Sequence, residues 1–216
     1  QEFIKLYPDV SLHMHKGTPV QISELASKGQ VDFAIATEAL ELFDNLVMMP
    51  CYRWNRSVIV TRDHPLAGVD KLSLEALAEF PIVTYVFGFT GRSQLDQAFR
   101  GAGLVPKLVF TASDADVIKT YVKMNLGVGI VASMAYDPKI DHELVAIDAS
   151  HLFEPSVTKI GFRRGTFLRN YMFEFIKLFA PHLTQELVQQ SSQTGNKHEL
   201  EDLYKDLLVP DYPVGV

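Results

Sequence analysis

Leu12 and Met14 alternate with polar neighbours across residues 11–15, the two-residue period of a strand. Thr18-Pro19-Val20-Gln21 then predicts a helix start, with Thr18 as N-cap, Pro19 as the first helical residue and Gln21 closing a capping box. Ile22, Leu25 and Ala26 give that helix one apolar face, and Gly29 ends it. Residues 31–36 follow as a mostly apolar run, the pattern of a buried strand. Together these segments predict a βαβ unit.

The pattern returns with strand 82–86, helix 92–100, strand 108–110, helix 114–124 and strand 129–131. Such alternation predicts a parallel sheet covered on both faces. Between the two runs, residues 46–51 and 57–61 read as strands too close together for a helical crossover, and residues 73–80 as a short helix. Strands at 145–147 and 158–162 precede a long helical pattern over 166–183, carried by Phe173, Ile176, Phe179 and Leu183. The fold class predicted is α/β, with two Rossmann-like subdomains in tandem. A return of the last strand and helix to the first unit puts the chain crossings near 82–86 and 158–162. The boundaries are then 1–82 plus 162–190 for one subdomain and 83–161 for the other. Residues 191–216 read as a C-terminal tail: a polar linker, a short helix near 198–207 and a frayed end.

Composition narrows the function classes. The 216 residues are 47% hydrophobic and 21% charged, an ordinary globular balance that can bury a real core. Lys plus Arg number 20 against 26 Asp plus Glu, a formal net charge of −6, whereas a grip on DNA by phosphate neutralisation needs the opposite sign. The single cysteine, Cys51, permits no intramolecular disulfide and no cysteine-rich metal site, which suits a reducing compartment. No apolar run approaches the roughly 20 residues needed to cross a bilayer, and residues 1–8 lack signal-peptide features. The expectation is a cytoplasmic location without membrane contact.

Candidate chemistry is sparse. Residues 127–132 fit G-x-G-x-x-A, but they follow a helical pattern and precede a strand, the reverse of a dinucleotide site, so a helix-to-strand turn is preferred and no cofactor is expected. His13 and His15 share one face of the expected strand without further ligands at recognisable spacing, so packed or solvated histidines are preferred to a metal site. Asp114 and Asp116 match a capping box begun by Ser113 better than a catalytic carboxylate pair. With no nucleophile elbow and no P-loop, nothing argues for an enzyme or a catalytic residue. What stands out is hydroxyl residues where strands end or helices begin: Thr37, Thr90 and Thr18. Helix N-termini offer unpaired N–H groups to anions, and a hydroxyl adds a donor; a plain N-cap role for Thr18 and Thr90 is compatible with this. Trp54, the only tryptophan, reads on pattern alone as a core or edge residue.

Four motifs carry a resemblance. Phe3-x-x-x-Tyr7-Pro8-Asp9-Val10, Asp32-Phe33-Ala34-Ile35, Asp63-His64-Pro65-Leu66-Ala67 and Gly127-Val128-Gly129-Ile130 occur in the order found in the effector-binding domain of LysR-type transcriptional regulators. Ala36-Thr37-Glu38-Ala39, Trp54-Asn55-Arg56, Phe89-Thr90-Gly91-Arg92-Ser93 and Asp114-Ala115-Asp116-Val117-Ile118-Lys119 resemble the branch of that family that governs sulfur assimilation and cysteine biosynthesis, and the likeness covers about nine-tenths of the chain. The resemblance implies a type 2 periplasmic-binding-protein-like fold, two Rossmann-like subdomains joined by two crossover strands. It implies an effector in the inter-domain cleft: N-acetylserine, O-acetylserine, thiosulfate or sulfate. The family's contacts fall on Thr37, Trp54 and Thr90, with Gly91, Arg92 and Thr18 at the neighbouring helix starts. It also implies self-association to a dimer or homotetramer, and DNA binding only through an N-terminal winged helix-turn-helix absent here. The family's first strand, with a Thr-His-Thr-Gln segment that adds ligand contacts, belongs ahead of Gln1. A solute-binding protein on the same clamshell is the alternative expectation.

Overall fold

The computed structural model describes residues 1–37, 42–89 and 91–212. In chain order the elements are α1 (Glu2–Leu6), α2 (Pro19–Ser27), β1 (Ala34–Ala36), β2 (Leu46–Trp54), β3 (Arg56–Thr61), α3 (Leu74–Ala78), β4 (Pro81–Tyr85), α4 (Arg92–Gly101), β5 (Lys107–Ala112), α5 (Ala115–Lys123), β6 (Val128–Ala132), β7 (Leu144–Asp148), β8 (Ser156–Arg163), α6 (Asn170–Phe179), α7 (Gln185–Gln193) and α8 (Lys197–Tyr204). The chain divides into two compact units, residues 1–52 with 157–211, and residues 53–156 with 212–216.

The first unit is built on a three-stranded sheet in the order β1-β8-β2, with β1 antiparallel to β8 through Ala34↔Gly161 and Ala36↔Lys159. Side chains alternate across β2. Val47, Met49 and Cys51 join Ile160 and Phe162 of β8 in a core closed by Met172 and Ile176 of α6, Val188 of α7 and Leu200 of α8. Leu46 and Met48 join Ala26 of α2 and Ala34 of β1 in a smaller second cluster. A side chain at Gly161 would collide with the Met48 sulfur, so β8 can lie this close only with glycine there.

Three expectations for this unit are corrected. Residues 11–15 form no strand: the segment is irregular, His13 and His15 are exposed, and Met14 is 96% exposed. Alternation supplies a face but not a partner, and among the described residues no strand lies beside this segment to take its backbone hydrogen bonds. The helical pattern over 166–183 is interrupted, because Ala180 leaves helical geometry (φ −142, ψ 84) ahead of Pro181, whose ring disfavours a helical predecessor. The expected tail from 191 is part of the unit, since α8 plants Leu200 in the core and Tyr204 hydrogen-bonds Ser191 of α7.

In the second unit the five strands run β5-β4-β6-β3-β7. β4 is parallel to both β5 and β6, whereas β3 is antiparallel to β6 and β7, so the sheet is mixed rather than parallel throughout. Both faces are covered as expected. Val58, Ile82, Val128 and Ile130 pack with Leu77, Leu95 and Phe99 from α3 and α4, and Ile59, Val83 and Val131 pack with Ile118 and Val122 of α5. The pairing of β3 with β6 and β7 puts residues 53–82 in this unit rather than the first. The chain therefore crosses at 52/53 rather than near 82–86, and at 156/157, close to the expected 158–162.

Candidate functional site

Between β2 and β3 the chain makes a one-residue break at Asn55 that three side-chain groups hold in shape. The Asn55 amide donates to the carbonyls of Ser150 (3.2 Å) and Phe153 (3.1 Å), and its Oδ1 accepts from the Arg56 N–H at 2.8 Å. The Asn55 carbonyl in turn accepts from the Ser133 N–H and hydroxyl, both at 2.9 Å. Trp54 on one side of the break is 6% exposed and Arg56 on the other is 3% exposed. The Arg56 Cζ lies 5.2 Å from the centroid of the Trp54 ring and 5.8 Å from that of Phe153, within cation–π range. Its Nη1 donates to the Glu154 carbonyl (3.1 Å), and its Nη2 donates to the Gly91 carbonyl (2.6 Å) and the Ser156 hydroxyl (2.9 Å).

Gly91 caps α4 with φ +67, a left-handed conformation that glycine adopts without steric cost. A side chain there would collide with the Arg56 guanidinium. Two of the sequence candidates, Trp54 and Gly91, are thus brought together by Arg56, a residue the sequence reading passed over. The only available signal was a charge opening the buried run of β3. Arg92 is 7% exposed, and its guanidinium bonds the Asp96 carboxylate (3.0 and 2.9 Å) and the Tyr85 carbonyl (2.9 Å), so its charge is neutralised one turn along its own helix. Thr90 lies outside the described residues.

Thr18 and Thr37 belong to the first unit. Thr18 caps α2 as the sequence predicts: its hydroxyl accepts from the Gln21 N–H at 3.2 Å while the Gln21 side chain accepts from the Thr18 N–H at 2.9 Å. Thr37 is half-buried immediately after β1. A cavity of about 220 Å³ lies against β2 and α8, lined by Leu46, Met48, Leu200 and Tyr204 among others, and contains none of the candidate residues.

The remaining chemistry resolves as packing. Burial raises the Cys51 thiol to about 12, leaving it protonated and unreactive at neutral pH. Asp114, not Ser113, caps α5, accepting from the Asp116 N–H at 2.9 Å, and Asp116 pairs with Lys119. Gly127 ends the connection from α5 and Val128–Ala132 form β6 itself, so the glycine motif follows a helix and leads into a strand, as expected. Among the described residues no cluster of three or more His, Cys, Asp or Glu could hold a metal, and no helix is long and apolar enough to cross a membrane.

Residues 1–184 match the family model of the LysR substrate binding domain. The chain is 55% identical over 207 residues to the HTH-type transcriptional regulator CysB of Haemophilus influenzae, covering 96% of this chain and 64% of that protein. It is 50% identical over 185 residues to the HTH-type transcriptional regulator SsuR of Burkholderia cenocepacia, covering 86% of this chain and 60% of the relative. The chain thus spans less than two thirds of the length of these curated relatives. The crystal structure of the cofactor-binding domain of the Cbl transcriptional regulator superposes with a TM-score of 0.84 at 39% identity, covering 89% of this chain and 85% of that one. The mixed α/β units described above are therefore those of the type 2 periplasmic-binding-protein-like fold.

Proposed function

We infer, for a chain that belongs to the LysR substrate-binding-domain family, that it senses a small anionic metabolite on behalf of a cytoplasmic, DNA-binding transcriptional regulator of sulfur assimilation and cysteine biosynthesis. The observation that carries this reading is 55% identity to a CysB regulator across 96% of the chain. The relatives reported above are named as regulators and none as an enzyme or a solute-binding protein, so the clamshell carrier alternative draws no support from them.

The effector proposed is N-acetylserine, with thiosulfate and sulfate as competing anions and O-acetylserine, a zwitterion that carries the same carboxylate, as a further competing ligand. Thr37, Trp54, Thr90 and Gly91 are its proposed contacts. The chemistry at the start of α4 suits an anion. A helix N-terminus carries the positive end of the helix dipole, which favours a negative charge placed beside it. The buried Arg56 guanidinium bonds the Gly91 carbonyl beside that terminus and adds a full positive charge at short range. Arg92 is the weaker candidate, since Asp96 already neutralises it. The Thr18 hydroxyl accepts in the α2 cap, a role that leaves its O–H able to donate to an anion.

A bound effector alters regulation only through different affinities for two states of the protein, whether those states differ in conformation or in how protomers of a dimer or tetramer assemble. Calorimetric titration with N-acetyl-L-serine, O-acetyl-L-serine, thiosulfate, sulfate and the neutral amide of N-acetylserine tests the reading. Saturable heat with an anion, absent for the amide, is expected. Thr37→Val or Thr90→Val should weaken binding about tenfold, the loss of one charge-assisted hydrogen bond. Equal affinity for the neutral amide, or no heat with any anion, contradicts it.

A further inference from the structure

We propose that Arg56 is a positioning residue of the effector site, holding the Trp54 ring and the Gly91 turn in one fixed arrangement. The proposal rests on the reading of Trp54 and Gly91 as effector contacts and adds a residue that touches neither the effector nor solvent.

The guanidinium is nearly inaccessible, yet it engages three separate stretches of chain. It faces the Trp54 ring at 5.2 Å, donates to the Gly91 carbonyl at 2.6 Å, to the Ser156 hydroxyl at 2.9 Å and to the Glu154 carbonyl at 3.1 Å. Only arginine does this with one side chain, because the planar fork presents donors at its edge while its face stacks on an aromatic ring. A lysine ammonium could keep the charge but could not stack and bridge at once. The site is built around that fork: glycine is required at 91 because any side chain there would occupy the guanidinium's place. A buried charge is retained only where its surroundings compensate it, so the three engaged segments lock one another. Glu154 and Ser156 also end the second unit's run of chain, and Trp54 is the second residue of that run. The two ends of the run are therefore pinned to the start of α4 by a single group.

The test uses the emission of Trp54, obtained as the difference between each protein and its Trp54→Phe counterpart, together with the dissociation constant for N-acetyl-L-serine and for sulfate. In Arg56→Lys, the Trp54 emission without ligand should shift to the red and the dissociation constant should rise about tenfold, while unfolding stays cooperative. Ser156→Ala, which removes one partner and keeps the guanidinium, should do the same to a smaller extent. Unchanged emission in Arg56→Lys overturns the proposal whatever happens to affinity, because Trp54 would then not depend on Arg56. Shifted emission with affinity within twofold of the parent overturns it too, because the fixed ring would then not matter to the ligand. Should Arg56→Lys not fold, Ser156→Ala is held to the same two criteria. If the parent protein binds neither probe, the effector reading falls, and the emission of the unliganded variants alone decides whether Arg56 holds the ring.

Discussion

Replacing Gly91 with alanine should destabilise the second unit well beyond the effect of the same change at Gly103. The two glycines have nearly the same backbone, φ +67 and φ +69, so the cost of placing an L residue in the left-handed region, about 1–2 kcal/mol, is common to both. Their surroundings differ. A methyl at 103 meets nothing within 4 Å, whereas one at 91 would sit 2.6 Å from the Ser156 hydroxyl and overlap the Arg56 guanidinium. Arg56 cannot step aside cheaply, since it is buried and moving it breaks bonds to Ser156 and Glu154. Overpacking of that kind costs about 1–3 kcal/mol more. Gly91→Ala should therefore lose about 2–5 kcal/mol in all and Gly103→Ala about 1–2 kcal/mol. Urea unfolding at neutral pH, followed by far-ultraviolet circular dichroism and Trp54 emission, measures both. If the two variants lose the same stability within about 0.5 kcal/mol, the close packing of Arg56 on Gly91 is wrong.

Three further outcomes follow from buried groups. Lys119→Met should cost about 3–5 kcal/mol, because it strands the buried Asp141 carboxylate that Lys119 meets at 3.0 Å, whereas Asp116→Asn, at a carboxylate 85% exposed, should cost little; chemical denaturation separates them. Burial raises both Cys51 and Tyr85 to about 12 from ordinary values of 9.0 and 10.0, so the folded chain keeps protons that the unfolded chain has released. Stability should therefore fall as pH climbs from about 9 toward 12, and Cys51→Ala should flatten the lower part of that fall in a melting-temperature profile. His64 has the opposite sense: burial lowers its pKa against the opposing charge of Asp63, and its Nδ1 accepts from the Leu66 N–H at 3.2 Å. Stability should decline as pH drops below about 6.5, and His64→Asn should remove part of that decline.

What could be read from sequence was local. The Thr18 capping box, the short helix α3 and the alternation from β4 to β6 depend on neighbours within a few residues, and each stands in the structure. The stop at Pro181 was legible in the same local terms, but the continuing apolar pattern hid it. Residues 11–15 show the limit of periodicity, because a strand also needs a partner whose location no pattern within the segment can state. The first crossing point was misplaced for a related reason: β3 joins β6 and β7, 70 or more residues ahead in the chain. Arg56 was invisible as a site residue because its partners lie 35, 98 and 100 residues away, distances over which a single sequence carries no pairing signal.

The central claim is that a small anion is bound against Trp54. Its most direct test is titration of the Trp54-specific emission with N-acetyl-L-serine, O-acetyl-L-serine, thiosulfate and sulfate at constant ionic strength, with Thr90→Val alongside. The account predicts a saturable change for at least one of these anions that weakens in Thr90→Val. A flat Trp54 signal with every anion, in a protein whose calorimetry shows saturable binding of one of them, would put the ligand elsewhere and contradict the account.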